Sequence, residues 1–180
     1  MPVGRRRLGW FSPDPRGVLP PGGAHVARSL RRAGRRFGVT CDTCFTDVVR
    51  ACGDPRRPHG WITEEFVDAY TELHRLGWAH SVEVWEGDDL VGGLYGVASG
   101  AFFAGESMFH RATGASKVAV VVTDRIVSSV PGSLFDVQWS TDHLVTMGVV
   151  EIDRSEYLRR LAEATAAEGP TWAVPTMDDW

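Results

Sequence analysis

The chain has 180 residues, of which 43% are hydrophobic and 23% charged, with a formal net charge of −4. That length suits one globular domain burying roughly two-thirds of its unfolded surface, and no apolar run approaches the ~20 residues of a membrane span, so a spanning protein is excluded. The modest charge conceals a segregation: residues 1–36 hold nine Arg and one Asp, whereas residues 61–180 carry seven Lys or Arg against nineteen Asp or Glu. A basic first fifth on an acidic remainder points to a polyanionic partner for that end of the chain.

The start, with Arg5, Arg6 and Arg7, is basic but lacks an apolar core and a small-residue cleavage site, which predicts an unprocessed, cytoplasmic protein. Cys41, Cys44 and Cys52 are then expected as reduced thiols rather than a disulfide framework. Residues 1–24, rich in Pro and Gly from residue 10 on, read as an irregular lead-in to a domain over 25–168, with 169–180 as a tail.

From His25 the pattern becomes helical, with Val26, Leu30, Ala33 and Phe37 on one side and Arg28, Arg31, Arg32, Arg35 and Arg36 on the other. Gly34 weakens this helix by ~1 kcal/mol relative to Ala. A short strand over Gly38 to Thr40, a helix over Asp42 to Ala51 and a loop around Pro55 follow. Thr63 reads as the cap of a helix with Glu64 and Glu65 in its first turn, Phe66, Tyr70 and Leu73 as its buried stripe and Gly77 as its stop. Ser81 to Trp85 and Leu90 to Val97 flank Glu86-Gly87-Asp88-Asp89 and predict a hairpin, with a third strand near Ala101 to Ala104. A buried helix over Ser116 to Ser129, strands over Leu134 to Val137 and Val149 to Ile152, a helical turn at Asp142 to Met147 and a last helix opened by Asp153 and Glu156 complete the chain. This order predicts an α+β domain, an antiparallel and partly mixed central sheet flanked by helices.

Five features bear on chemistry. The arginine row matches phosphate-fork spacing, although a solvated charged face has the same pattern. Cys41, Cys44, Cys52 and His59 could be written as a zinc set, but the Cys pair falls on an expected helix and small thiols are common in cores, so no metal is expected. Gly105-Glu106-Ser107-Met108-Phe109 approaches a nucleophile elbow, yet Phe109 replaces the glycine that permits the turn, which argues against a nucleophilic Ser107. His74, His80, His110 and His143 share no motif. Glu106, inside the apolar run Phe102 to Phe109, needs a partner or ligand, because burying an unpaired carboxylate costs several kcal/mol. Asp136 and Gln138 share one side of a strand, where the Asp could orient the amide and leave its carbonyl for an amine.

Taken with Ser12-Pro13-Asp14-Pro15-Arg16, Trp61-Ile62-Thr63, Leu76 to Trp85, Leu90 to Val97 and Ala115-Ser116-Lys117, these segments, in order, resemble the bacterial leucyl/phenylalanyl-tRNA-protein transferase family over most of residues 10–160. The resemblance implies an acetyltransferase-like (GNAT-like) fold and transfer of Leu, Phe or Met from aminoacyl-tRNA to an N-terminal Arg or Lys, marking the acceptor for degradation. It implies that Arg28, Arg32 and Arg35 grip the tRNA, that Leu94, Phe103, Met108, Val120, Phe135 and Trp61 line an aminoacyl pocket, and that Glu106, Asp136 and Gln138 form its polar catalytic centre. No cofactor is implied, since an aminoacyl ester is already activated, and the protein is expected as a monomer. The family's usual small N-terminal domain is expected to be missing, and Val120, Thr123 and Val127 stand where larger apolar groups are usual. Transfer to a small-molecule amine and a non-catalytic tRNA-binding module are the alternatives. An acyl-CoA acetyltransferase would need a pyrophosphate loop that the chain does not contain.

Overall fold

The computed structural model describes Gly9, residues 11–56 and residues 61–175. Arg5, Arg6, Arg7 and His59, all singled out above, lie outside the described residues.

One seven-stranded sheet organises the chain, in the order β2-β3-β4-β5-β6-β1-β7. Its strands are β1 (Arg16–Leu19), β2 (Gly38–Cys41), β3 (Ala79–Glu86), β4 (Asp89–Ser99), β5 (Phe102–His110), β6 (Leu134–Gln138) and β7 (Val150–Ile152). All neighbours are antiparallel except β5 and β6, which run parallel because helix α4 (Ala115–Val127) crosses between them. The α+β expectation of a mainly antiparallel sheet flanked by helices therefore holds.

Neighbouring residues on each strand enter different cores, as strand alternation requires. Leu94, Phe103 and Phe135 join α4 and Leu30 of α1 (Arg28–Gly34) on one face. On the other, Tyr95 and Phe109 meet α2 (Phe45–Cys52) and Val67 of α3 (Glu64–Arg75), while Leu134 meets Tyr157 and Ala164 of α6 (Arg154–Ala166). Helix α4 is the central brace: eleven of its thirteen residues are buried, the mark of a helix apolar all round. Its buried Asp124 accepts the backbone N–H groups of Gly22 (3.1 Å) and Ala24 (2.9 Å), fastening the Pro- and Gly-rich segment to the core.

Three local expectations are corrected. The lead-in is not irregular throughout, because β1 lies inside it and pairs with both β6 and β7. The Cys41 and Cys44 pair is not helical: Cys41 ends β2, Asp42 adopts φ +56°, and Cys44 is the N-cap of α2. The strand expected to end at Ala104 continues to His110. The α3 helix ends as expected, with Gly77 at φ +80°, a left-handed value open to glycine. Asp153 caps α6 by accepting the Glu156 N–H at 2.9 Å.

Candidate active site

The parallel ladder between β5 and β6 ends at Ala104 opposite Asp136, and the strands separate beyond it. Each strand bulges there. Across from β4, Tyr95 pairs with Ser107 and Gly96 with Gly105, leaving Glu106 as the extra residue. Across from β1, Gly17 pairs with Gln138 and Val18 with Asp136, leaving Val137 unpaired. Bulges re-aim side chains next to sites, and here they place Glu106 and Gln138 on a cleft of about 310 Å³.

The cleft lies on the α3/α6 face. Trp61, Phe66, Tyr70 and Phe102 give it aromatic walls, Phe11 and Trp139 stand exposed at its lip, and Arg16, Glu106, Asp136, Gln138 and Tyr157 supply its polar groups. Trp61 meets Phe66 edge to face at 5.3 Å, a packing that fixes the wall.

Asp136 is fully buried and fully engaged. Arg16 binds it with two N–H groups, Nε to Oδ1 at 3.0 Å and Nη2 to Oδ2 at 2.6 Å, and the Tyr157 hydroxyl donates to Oδ2 at 2.8 Å. A fourth donor, the backbone N–H of Gln138, reaches Oδ1 at 2.8 Å. Asp136 thus holds the backbone of Gln138, at φ +64°, rather than its side-chain amide. Among the described residues that amide has no partner and remains available to a substrate. Arg16 is delivered by the lead-in, which α6 anchors: Arg154 donates to the Ser12 carbonyl at 2.9 Å and to Asp14 at 3.2 Å.

Glu106 is engaged differently. Its partner is the Tyr70 hydroxyl of α3, not Asp136 or Gln138. Burial raises its pKa above the ordinary Glu value and the nearby Asp136 charge adds to this, against the opposing hydrogen bond from Tyr70. Burial likewise raises the Tyr70 phenol, which therefore stays a proton donor.

The structure brings Trp61, Glu106, Asp136 and Gln138 together. It does not bring Leu94, Phe103, Val120 and Phe135 into the cleft; they are buried in the core of the α4 face, and Met108 packs half-buried against them. The one-residue bulge is the reason, since it shifts the alternation so that Phe103 and Met108 share that face. Arg28, Arg32 and Arg35 are exposed on and just beyond α1, also on the α4 side. Arg16, Tyr70 and Tyr157 were missed by sequence reasoning. Arg16 closes the Ser-Pro-Asp-Pro-Arg block, a signal that could have found it.

No described residue lining the cleft is a Ser, Thr, Cys, His or Lys. Ser107 sits mid-strand opposite Tyr95. Cys41 and Cys44 are pushed up to about 12, first by burial and then by the Glu83 charge, which keeps both as thiols. Of the described residues, Asp42, His74 and His80 come close enough to share an ion. Their nearest ring nitrogens are already spent: His80 Nδ1 bonds Asp42 at 2.7 Å and His74 Nδ1 bonds the Ala79 carbonyl at 2.8 Å.

Among its described residues the cleft offers carboxylates, an arginine and an amide, groups that can hold and align polar reactants. Residues 18–162 match the family model described as leucyl/phenylalanyl-tRNA protein transferase. A protein named leucyl/phenylalanyl-tRNA--protein transferase from Tolumonas auensis is 51% identical over 86% of this chain and 68% of its own length. Same-named proteins from Anaeromyxobacter sp. strain K and Paramagnetospirillum magneticum are 53% and 49% identical, over 90% and 89% of this chain and 71% and 78% of their own lengths. The chain belongs to the leucyl/phenylalanyl-tRNA protein transferase family.

Proposed function

We propose that this protein transfers Leu or Phe, with Met as a further donor, from aminoacyl-tRNA to the α-amino group of an N-terminal Arg or Lys, as a cytoplasmic monomer. The observation that carries the reading is that an unengaged Gln138 amide and Glu106 line one cleft at the β5/β6 splay, with no Ser, Thr, Cys, His or Lys among its described residues. Direct aminolysis of an activated ester needs no nucleophile from the protein, only an aligned, deprotonated amine. Parallel strands that separate beside the site also support kinship with GNAT-like acyltransferases, within one domain built on residues 25–168 and completed by β1.

In this reading the Gln138 carbonyl accepts a hydrogen bond from the attacking amine, and Asp136 acts as a positioning residue through the Gln138 backbone. The amine nitrogen forms the amide bond to the ester carbon. Glu106 takes the amine proton and returns it to the ribose oxygen as the bond from the ester carbon to that oxygen breaks, so the hydroxyl leaves and the carboxylate is restored. A carboxylate whose pKa burial raises is a stronger proton acceptor than an exposed Glu. Arg28, Arg32 and Arg35 hold the tRNA on the α4 face, and Trp61 lines the acceptor side of the cleft.

The test is incubation with radiolabelled Leu-tRNA or Phe-tRNA and a peptide beginning with Arg or Lys. Label in the peptide, resistant to mild base, is the expected result. Label confined to tRNA, with binding intact, overturns the reading.

A further inference from the structure

The Ala115-Ser116-Lys117 segment has no part in the cleft just described. Lys117 lies in the first turn of α4 and lines a second cleft of about 440 Å³, on the α4 face, together with His25, Ser29, Thr113 and Thr146. No Asp or Glu lines it. Leu30 and Ala33 of α1 form part of its floor beside Gly114, where a Cβ would sit at ordinary contact distance from them, 3.6 and 3.8 Å. Arg36 reaches the Thr113 carbonyl at 3.5 Å. The exposed arginine row of α1 thus runs alongside Thr113 and Lys117.

Positive charge collects here without neutralisation. Arg16, Arg36, Arg50, Arg56, Arg75, Arg154, Arg159 and Arg160 all have acidic partners. Arg28, Arg31, Arg32, Arg35 and Lys117 have none among the described residues, although the chain as a whole is acidic. His143, on the helical turn Asp142–Val145 beside the cleft, is held below its ordinary value by desolvation and then by the charges of Lys117 and His110. Cations left in mutual repulsion, in a concave site with hydroxyl groups and no acid, suit an anionic ligand better than a solvated face.

Resting on the function proposed above, we infer that this cleft seats a backbone phosphate of the tRNA donor, with Lys117 as its cation and Thr113 and Thr146 on its walls. The cleft extends the arginine row into one surface on the α4 face, whereas the aromatic cleft opens on the opposite face. Donor RNA and acceptor peptide would then approach from different sides and meet at the β5/β6 splay.

The experiment is equilibrium binding of deacylated tRNA between 50 and 300 mM KCl, over which the screening length falls from about 14 Å to about 6 Å, with wild type, Lys117→Gln, Lys117→Arg, Thr146→Glu and, on the far face, Arg159→Gln. Loss of one phosphate contact lowers the slope of log K against log salt by about 0.7–0.9 and weakens binding roughly three- to tenfold. Lys117→Gln is expected to show both effects, Lys117→Arg to restore them, and Thr146→Glu, at an exposed position that leaves the fold undisturbed, to weaken binding similarly. Arg159→Gln should match wild type. Wild-type affinity and slope in both Lys117→Gln and Thr146→Glu would overturn the cleft assignment while leaving the transferase reading intact. Failure of the wild type itself to bind tRNA would overturn both.

Discussion

Arg16 and Asp136 form a two-pronged ion pair in which the Asp136 side chain is wholly buried and the Arg16 side chain only 12% exposed. Removing one partner of such a pair strands the other, at a typical cost of ~3–5 kcal/mol. Arg16→Ala should therefore lower the urea midpoint sharply. Arg16→Lys, which keeps charge but not the fork, should retain more stability yet still slow transfer, because Gln138 loses its fixed backbone. Urea titration and initial rates on the same preparations check this; equal rates in Arg16→Lys and wild type would remove Asp136 from its positioning role.

Glu106 binds its proton more tightly when folded than when unfolded, since burial raises its pKa. Its contribution to stability is thus fully present below the ordinary Glu value near 4.3 and is lost as pH rises through the raised value. Glu106→Gln should accordingly unfold at higher urea than wild type at pH 8, with the difference shrinking towards pH 4. Its transfer rate should fall by ~10²-fold or more, the usual contribution of a positioned base.

Gln138 occupies left-handed backbone space, which costs a non-glycine residue roughly 1–2 kcal/mol. Gln138→Gly should raise stability by up to ~1 kcal/mol and abolish transfer. Thermal melts set against activity would show the two properties moving in opposite directions.

Gly96 faces the bulge that presents Glu106. A Cβ there would run into the Ala104 carbonyl oxygen and come within 2.5 Å of Phe103 Cζ. Gly96→Ala must push β5 away from β4, at a cost of ~1–3 kcal/mol or more, and should impair activity although residue 96 does not line the cleft. A melting temperature and rate equal to wild type would contradict this placement of the bulge.

Elements whose signals were local were legible in the sequence. The hairpin announced itself through alternation around Gly87, and α3 through its acidic first turn and Gly77 stop. Strand β1 was not legible, because four residues between prolines carry no period and gain their identity only by pairing with β6 and β7. The side-chain set of the cleft was half legible. Glu106 stood out as a carboxylate among aromatics, but its bulge depends on a register with β4 that no single strand encodes, so Phe103 and Met108 were assigned to a pocket from which the bulge turns them away. The Cys41/Cys44 pair misled for a related reason: a positive φ at Asp42 breaks the helical pattern that their spacing suggests.

Single-turnover transfer from Leu-tRNA to an Arg-initiated peptide, with wild type and Gln138→Ala and with tRNA binding measured on the same samples, is the most direct test of the central claim. The Gln138→Ala rate is expected to be lower by ~10²-fold at unchanged tRNA affinity. Equal rates, or a loss of rate matched by an equal loss of binding, would contradict it.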